Sequence, residues 1–172
     1  IRNNPIKHWD KIAPTFKRIF STNILIAGTA SEGKTTLVKD LGKYFNAPYS
    51  HEWARDYMLE NCVDETEIDG TDFIAFLYGQ YNLNKQMIHS PGNQGFFFAD
   101  TDSLITRMYA EYYMKDPNFH MSEREFGAIA AIADELTAKC RWDKIFLICP
   151  HAKFIDDHVR YMGHSGMDKR RE

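Results

Sequence analysis

The stretch Gly28-Thr29-Ala30-Ser31-Glu32-Gly33-Lys34-Thr35 constrains this chain more than any other. It is a complete phosphate-binding loop, Gly-x-x-x-x-Gly-Lys-Thr, and such a loop works only between a strand and a helix. Both are at hand. Asn23-Ile24-Leu25-Ile26-Ala27 is a short apolar run fit for a buried parallel strand. Thr36 to Phe45 reads as a helix, with Leu37, Leu41, Tyr44 and Phe45 near one face. The glycines let successive N–H groups curl around an anion at the positive end of that helix. Gly28, Ser31, Glu32, Gly33, Lys34, Thr35 and Thr36 are therefore the candidate binders of a nucleoside triphosphate. Lys34 brings a mobile charge to the β- and γ-phosphates. Thr35 offers a hydroxyl to Mg²⁺, a hard cation usually held by few protein groups plus phosphate oxygens. A glycine-rich turn that binds nothing would need neither the strand nor the helix.

The rest of the chain narrows the class. At 172 residues it is one domain, large enough for a core without disulfide staples. A formal net charge of −3 provides no basic field, so nucleic acid is not the expected partner. Cys62, Cys140 and Cys149 are an odd set without C-x-x-C spacing, which suits reduced thiols and a cytoplasmic setting. No apolar stretch approaches a membrane span, and no signal peptide opens the sequence. The chain starts at Ile1 without methionine and stops at Lys169-Arg170-Arg171-Glu172, at what reads as a helix start. It is expected to be a fragment, incomplete at its C-terminus.

Residues 1 to 22 read as an irregular or short-helical lead-in. Pro48-Tyr49-Ser50-His51 is a weak strand, Trp53 to Glu60 a short helix, and Asp64 to Asp72 an acidic loop turning at Gly70. Thr71 to His89 is a helix burying Phe73, Phe76 and Leu77, and Ser90-Pro91-Gly92-Asn93 breaks it. Gly95-Phe96-Phe97-Phe98-Ala99 is a second buried strand, and a helix from Ser103 to Met114 comes after it. Ser122-Glu123-Arg124-Glu125 is a capping box opening a helix with Phe126, Ile129, Ala130, Ala133 and Leu136 at helical spacing. Lys144 to Cys149 is a third strand. Strands alternating with helices predict an α/β domain, a parallel sheet flanked by helices of the P-loop NTPase type.

Ligands of such sheets sit beyond the carboxyl ends of the strands. Asp100 follows an apolar strand directly and is placed to hold Mg²⁺, as a Walker B carboxylate does; the plain alternative is a helix cap. Asp102 either caps the helix at Ser103 or faces an acceptor substrate. Glu52 ends the weak strand, where a carboxylate can take a proton from an acceptor hydroxyl. Lys34, Glu52 and Asp100 are the candidate catalytic set, with either Glu52 or Asp100 helping the acceptor hydroxyl lose its proton. Arg55 can stabilise transferring phosphate, Asp56 can bind ribose hydroxyls, and Trp53 or Tyr57 can stack on a flat ring. The competing reading is an amphipathic helix with an internal Arg–carboxylate pair. The basic tail Phe154 to Arg160, continuing to Lys169-Arg170-Arg171, can close as a lid with Arg160 over the phosphates. His151, His158 and His164 lack zinc spacing.

Four stretches carry a resemblance. They are Ile26 to Leu37, Glu52-Trp53-Ala54-Arg55-Asp56-Tyr57, Phe98-Ala99-Asp100-Thr101-Asp102, and Asp156-Asp157-His158-Val159-Arg160. Together they resemble the ribosylnicotinamide kinase part of the bifunctional NMN adenylyltransferase/ribosylnicotinamide kinase (NadR) family. Ile1-Arg2-Asn3-Asn4-Pro5 looks like the end of the adenylyltransferase domain of such proteins, which makes residues 1–22 a lead-in and 23–172 the kinase domain. The resemblance implies ATP-dependent phosphorylation of the 5′-hydroxyl of nicotinamide riboside, in NAD salvage, with the five-stranded sheet order of such kinases. It supports Glu52, Arg55 and Asp56 as acceptor-site residues and Trp53 near the cationic pyridinium. No adenylyltransferase activity is expected of this segment. Two other readings stay open: an ATP-binding regulatory switch, and a kinase for a different nucleoside. The first would need a partner contact; a nucleotide acceptor would call for more arginines than Arg55 alone.

Overall fold

A computed structural model of the chain describes residues 3–30, 32–119 and 121–149. The first strand, β1 (Thr22–Gly28), is apolar on both faces because both faces are covered. Leu25 and Ala27 point one way, into a cluster with Phe97 and Ala99. Ile26 points the other way, towards Val38 and Phe98. This two-residue alternation within an unbroken apolar run is what a central parallel strand requires. Leu25, Ile26, Phe97 and Phe98 are among the most deeply buried side chains. Each contributes roughly 1.5–3 kcal/mol of burial free energy.

The other strands are β2 (Tyr49–Ser50), β3 (Phe96–Ala99) and β4 (Lys144–Ile148). All pair in parallel, in the order β2-β3-β1-β4. This is the parallel sheet flanked by helices that the alternation predicts, with four strands among the described residues. β4 lies at one edge of it, and its Ile145, Phe146 and Leu147 are each more than half exposed.

Six α-helices among the described residues match the reading closely: α1 (Pro14–Phe20), α2 (Lys34–Phe45), α3 (Trp53–Asn61), α4 (Gly70–Ile88), α5 (Ser103–Lys115) and α6 (Glu123–Lys139). The lead-in is a 3₁₀ turn at Ile6–Lys11 and then α1. Its Trp9 is buried and donates its indole N–H to the Asn93 carbonyl at 2.7 Å. The capping box at Ser122 and Glu125 is present. Two details differ from expectation. Gly70 is the first residue of α4 rather than a turn, because Asp69 caps the helix there in a second capping box with Asp72. On α2 the buried residues are Val38 and Gly42, while Leu37, Tyr44 and Phe45 are exposed. The sheet meets the helix along 38 and 42, and Phe45 only borders it through Phe96 and Phe98.

The largest core lies outside the sheet. Helices α3 to α6 pack around Met58, Phe73, Phe76, Leu77, Ala110, Tyr113, Ile129, Ala133 and Leu136. They form a helical lobe beside the carboxyl ends of β2 and β3. Among the described residues no helix is long and apolar enough to cross a membrane.

Candidate active site

Strand register brings the candidate residues to one edge. Ser50 pairs with Ala99, and Ala99 with Leu25. Glu52, Asp100 and Gly28 therefore leave the sheet on the same side. Asp100 is further tied down by its N–H, which donates to the Ser50 carbonyl at 3.2 Å.

The phosphate loop has the geometry its sequence demands. Gly33 caps α2 with φ +77°, a left-handed conformation that side chains avoid. Among the described residues, a Cβ there would meet nothing within 4 Å. Lys34 folds back and donates to the Thr29 carbonyl at 2.7 Å. The Thr29 hydroxyl is buried without a hydrogen-bond partner among the described residues. A triphosphate would supply an acceptor for it. Thr35 donates its hydroxyl hydrogen bond to the Asp100 carboxylate. Two hard oxygen donors side by side, one at the mouth of the loop and one at a strand end, fit Mg²⁺ well. Among the described residues no group of three His, Cys, Asp or Glu side chains could hold a metal.

A cavity of about 60 Å³ opens beside Glu52 and Thr101 and runs into the helical lobe. By this measure one water needs roughly 10–15 Å³, so there is room for several waters. Its walls include Phe73, Phe76, Tyr109 and Tyr113, and its polar groups include the carboxylates of Glu52 and Glu65. Among the described residues no Lys, Arg or His lines it. Glu65 is buried, on the short 3₁₀ turn Glu65–Glu67, and accepts a hydrogen bond from the Tyr113 hydroxyl. In the sequence Glu65 is one more acid in an acidic loop. Only the fold shows that this loop turns it inward.

The other predicted residues have varied fates. Glu52 receives the Arg55 guanidinium at 3.1 Å, the i,i+3 pair of the competing reading. Asp56 pairs with His51 at 2.5 Å, with both side chains about half exposed. Trp53 packs into the lobe, 5.4 Å from the Tyr57 ring and against Gly79. It is not among the residues lining the cavity. The Tyr57 hydroxyl donates to Asp72 at 2.8 Å, and this bond, followed by burial, raises its pKa. Asp102 is the helix cap of the two roles open to it. One oxygen accepts from the Leu104 and Ile105 amides at 3.1 and 3.2 Å, the other from the Trp142 indole at 2.8 Å. Burial raises its pKa against those three hydrogen bonds. Glu32 is buried in the loop and Thr36 is exposed on α2. Ser31, Arg160 with the rest of the basic tail, the His151, His158 and His164 set, and Arg2 lie outside the described residues.

Known proteins share this fold. Over 166 residues the chain is 27% identical to the trifunctional NAD biosynthesis/regulator proteins NadR of Salmonella typhimurium and Escherichia coli. The match covers 96% of this chain and 37% of those proteins, so the chain spans well under half their length. Its fold superposes on a crystal structure of NadR in complex with NR with a TM-score of 0.81 and 38% identity, covering 88% of this chain and 40% of that one. A crystal structure of NadR with NAD and AMP-PNP matches with a TM-score of 0.78 and 37% identity, covering 86% and 39%. With the strand, loop and Thr35–Asp100 pair of a nucleotide-binding domain in place, and residues 23–172 matching the AAA domain family, the chain belongs to that family.

Proposed function

We propose that this domain transfers the γ-phosphoryl group of ATP to the 5′-hydroxyl of nicotinamide riboside, giving nicotinamide mononucleotide and ADP. The cavity beside Glu52 carries this reading. It offers aromatic walls and two carboxylates, with no cationic side chain among the described residues that line it. Such a site suits a flat, positively charged ring through cation–π attraction, roughly 0.5–2 kcal/mol, plus charge pairing. An acceptor that already carries phosphate would call for arginines beyond Arg55, which pairs with Glu52. The similarity to a NadR bound to NR supports the same choice.

In this reading the loop amides and Lys34 fix the β- and γ-phosphates. Thr35 and Asp100 would hold Mg²⁺, which supplies charge neutralisation between those phosphates. Glu52 accepts the proton of the 5′-hydroxyl as its oxygen bonds to the γ-phosphorus and the bond to the ADP oxygen breaks. Arg55, paired with Glu52, would stabilise charge on the transferring group. Most of the acceleration comes from positioning and charge stabilisation, because the transferring group is only loosely bonded in the transition state.

The test is to incubate the full-length protein with ATP, Mg²⁺ and a panel of nucleosides, following ADP and product. Nicotinamide mononucleotide should form well above any other product, and Lys34→Ala should abolish it while leaving the fold intact. Preference for another nucleoside would keep the kinase and change the substrate. ATP binding without transfer to any nucleoside would favour a regulatory switch.

A further inference from the structure

Two polar side chains on α4 occupy positions that belong to its buried face. Phe73, Phe76, Leu77, Gln80 and Asn84 succeed one another at helical spacing, and Gln80 and Asn84 are 2% and 3% exposed. A buried amide stays only where its hydrogen bonds are made. The Gln80 carbonyl oxygen accepts from the Trp53 backbone N–H at 2.8 Å. Its amide nitrogen donates to the His51 carbonyl at 3.1 Å and to the Asn84 oxygen at 3.0 Å. The Asn84 oxygen also accepts from the Ser50 hydroxyl at 2.6 Å, and its nitrogen donates to the Thr101 carbonyl at 3.1 Å. Partner chemistry fixes both orientations. Flipping Gln80 would face its nitrogen to an N–H and its oxygen to a carbonyl, and flipping Asn84 would face its oxygen to the Thr101 carbonyl.

The bonded groups are not scattered. Residues 50, 51 and 53 flank Glu52 on both sides, and Thr101 stands between Asp100 and Asp102. One pair of amides therefore holds the backbone around the proposed proton acceptor and the backbone beside the proposed metal carboxylate. Neither amide bonds either carboxylate.

We propose that Gln80 and Asn84 are positioning residues that set the distance and angle between the Glu52 loop and the Asp100 loop. The kinetic part of this proposal rests on the function proposed above; the structural part does not. Phosphoryl transfer depends on the reacting groups being placed to a fraction of an ångström, and misplacement by about 1 Å costs on the order of 100-fold in rate. Loosening the clamp separates the acceptor side from the nucleotide side while leaving the phosphate loop whole.

The experiment compares the full-length protein with Gln80→Met and Asn84→Asp, and with Ser50→Ala, which removes only the hydroxyl bond. Hydrogen exchange of the Trp53 amide is read in all of them, without substrate. Gln80→Met should speed that exchange by at least about 10-fold, because its acceptor is gone, with no change at Leu37 in α2. Affinity for a non-hydrolysable ATP analogue should stay within about threefold, while kcat for the acceptor falls about 10- to 100-fold in Gln80→Met and Asn84→Asp. The double variant should lose less than the product of the two, since both act on one spacing. Unchanged Trp53 exchange in folded Gln80→Met overturns the clamp whatever the substrate proves to be. Faster exchange with unaltered kcat overturns its part in catalysis, as does a parallel loss of ATP affinity. If Gln80→Met fails to fold, Asn84→Asp and Ser50→Ala decide: unaltered kcat in both overturns the proposal. A wild-type protein that phosphorylates no nucleoside removes the proposed function and leaves the exchange result to judge the clamp.

Discussion

A Cβ on Gly79 would stand 2.2 Å from the Cδ2 and Cε3 atoms of Trp53. The indole lies where any larger residue on α4 would intrude, and the next residue, Gln80, binds the backbone N–H of the same tryptophan. Trp53 is thus seated from α4 through both its ring and its main chain, one residue after Glu52.

Gly79→Ala therefore forces the ring aside. Overpacking a filled site costs about 1–3 kcal/mol, which for a domain of this size lowers Tm by roughly 2–12 °C. Because the ring opens α3, its displacement moves Glu52 as well. Turnover of the acceptor should fall with ATP affinity kept, checked by thermal unfolding alongside steady-state kinetics. Unchanged Tm and turnover would show that the ring has room to yield.

Asp102 makes stability depend on pH in an uncommon direction for a carboxylate. Burial, opposed by the Ile105, Trp142 and Leu104 hydrogen bonds, raises its folded pKa above 3.8. Between 3.8 and the folded value the native state binds more protons than the unfolded one. The stabilisation tied to this group is therefore full below 3.8 and is lost as pH rises through the folded pKa. Asp102→Asn keeps an oxygen for the Leu104 and Ile105 amides and removes the titration. The stability of wild type relative to this variant should decline as pH rises through that window and then level off. Urea unfolding across a pH series measures it, and a difference independent of pH would refute the assignment.

Cys140 is the quiet thiol of the three. Burial, with Asp102 nearby, pushes its pKa up to about 11, while Cys62 and Cys149 are exposed. At pH 8 only about one Cys140 in a thousand is thiolate, the form that reacts. An alkylating reagent should modify Cys62 and Cys149 quickly and Cys140 at least about 100-fold more slowly, with all three equal in denaturant. Mass spectrometry of timed samples reads this directly. Equal native rates would mean that residue 140 is not shielded.

The sheet and the phosphate site were legible because local rules set them. A buried parallel strand has an apolar run, a phosphate loop has spaced glycines, and a strand-end aspartate meets the loop threonine wherever such a strand lies beside β1. The proposed acceptor side was legible only in outline. Glu52 could be picked by its place after β2, but Glu65 looked like a solvated acid until Ile68 and Tyr113 drew its turn inward. Gln80 and Asn84 did leave a trace, two amides continuing the Phe73, Phe76, Leu77 stripe, which marks polar groups on a buried face. Their partners lie 17 to 34 residues away, and no local rule names them. For Trp53 the sequence offered a stacking ring, whereas packing gave that ring to Gly79.

Glu52→Gln separates the two sides of the site. The amide oxygen can still accept from Arg55, so the i,i+3 contact and the start of α3 should persist. What disappears is the ability to take a proton. Loss of a general base costs about 10²- to 10⁴-fold, and the loss should appear in kcat for the acceptor, with affinity for an ATP analogue within about threefold. Asp100→Asn should behave differently. It weakens the carboxylate beside Thr35, so its defect should appear in the Mg²⁺ concentration needed for nucleotide binding. If Glu52→Gln instead lost ATP affinity as fully as turnover, Glu52 would belong to the nucleotide side, and the aromatic cavity beside it would need another proton acceptor, with Glu65 the next carboxylate along its wall.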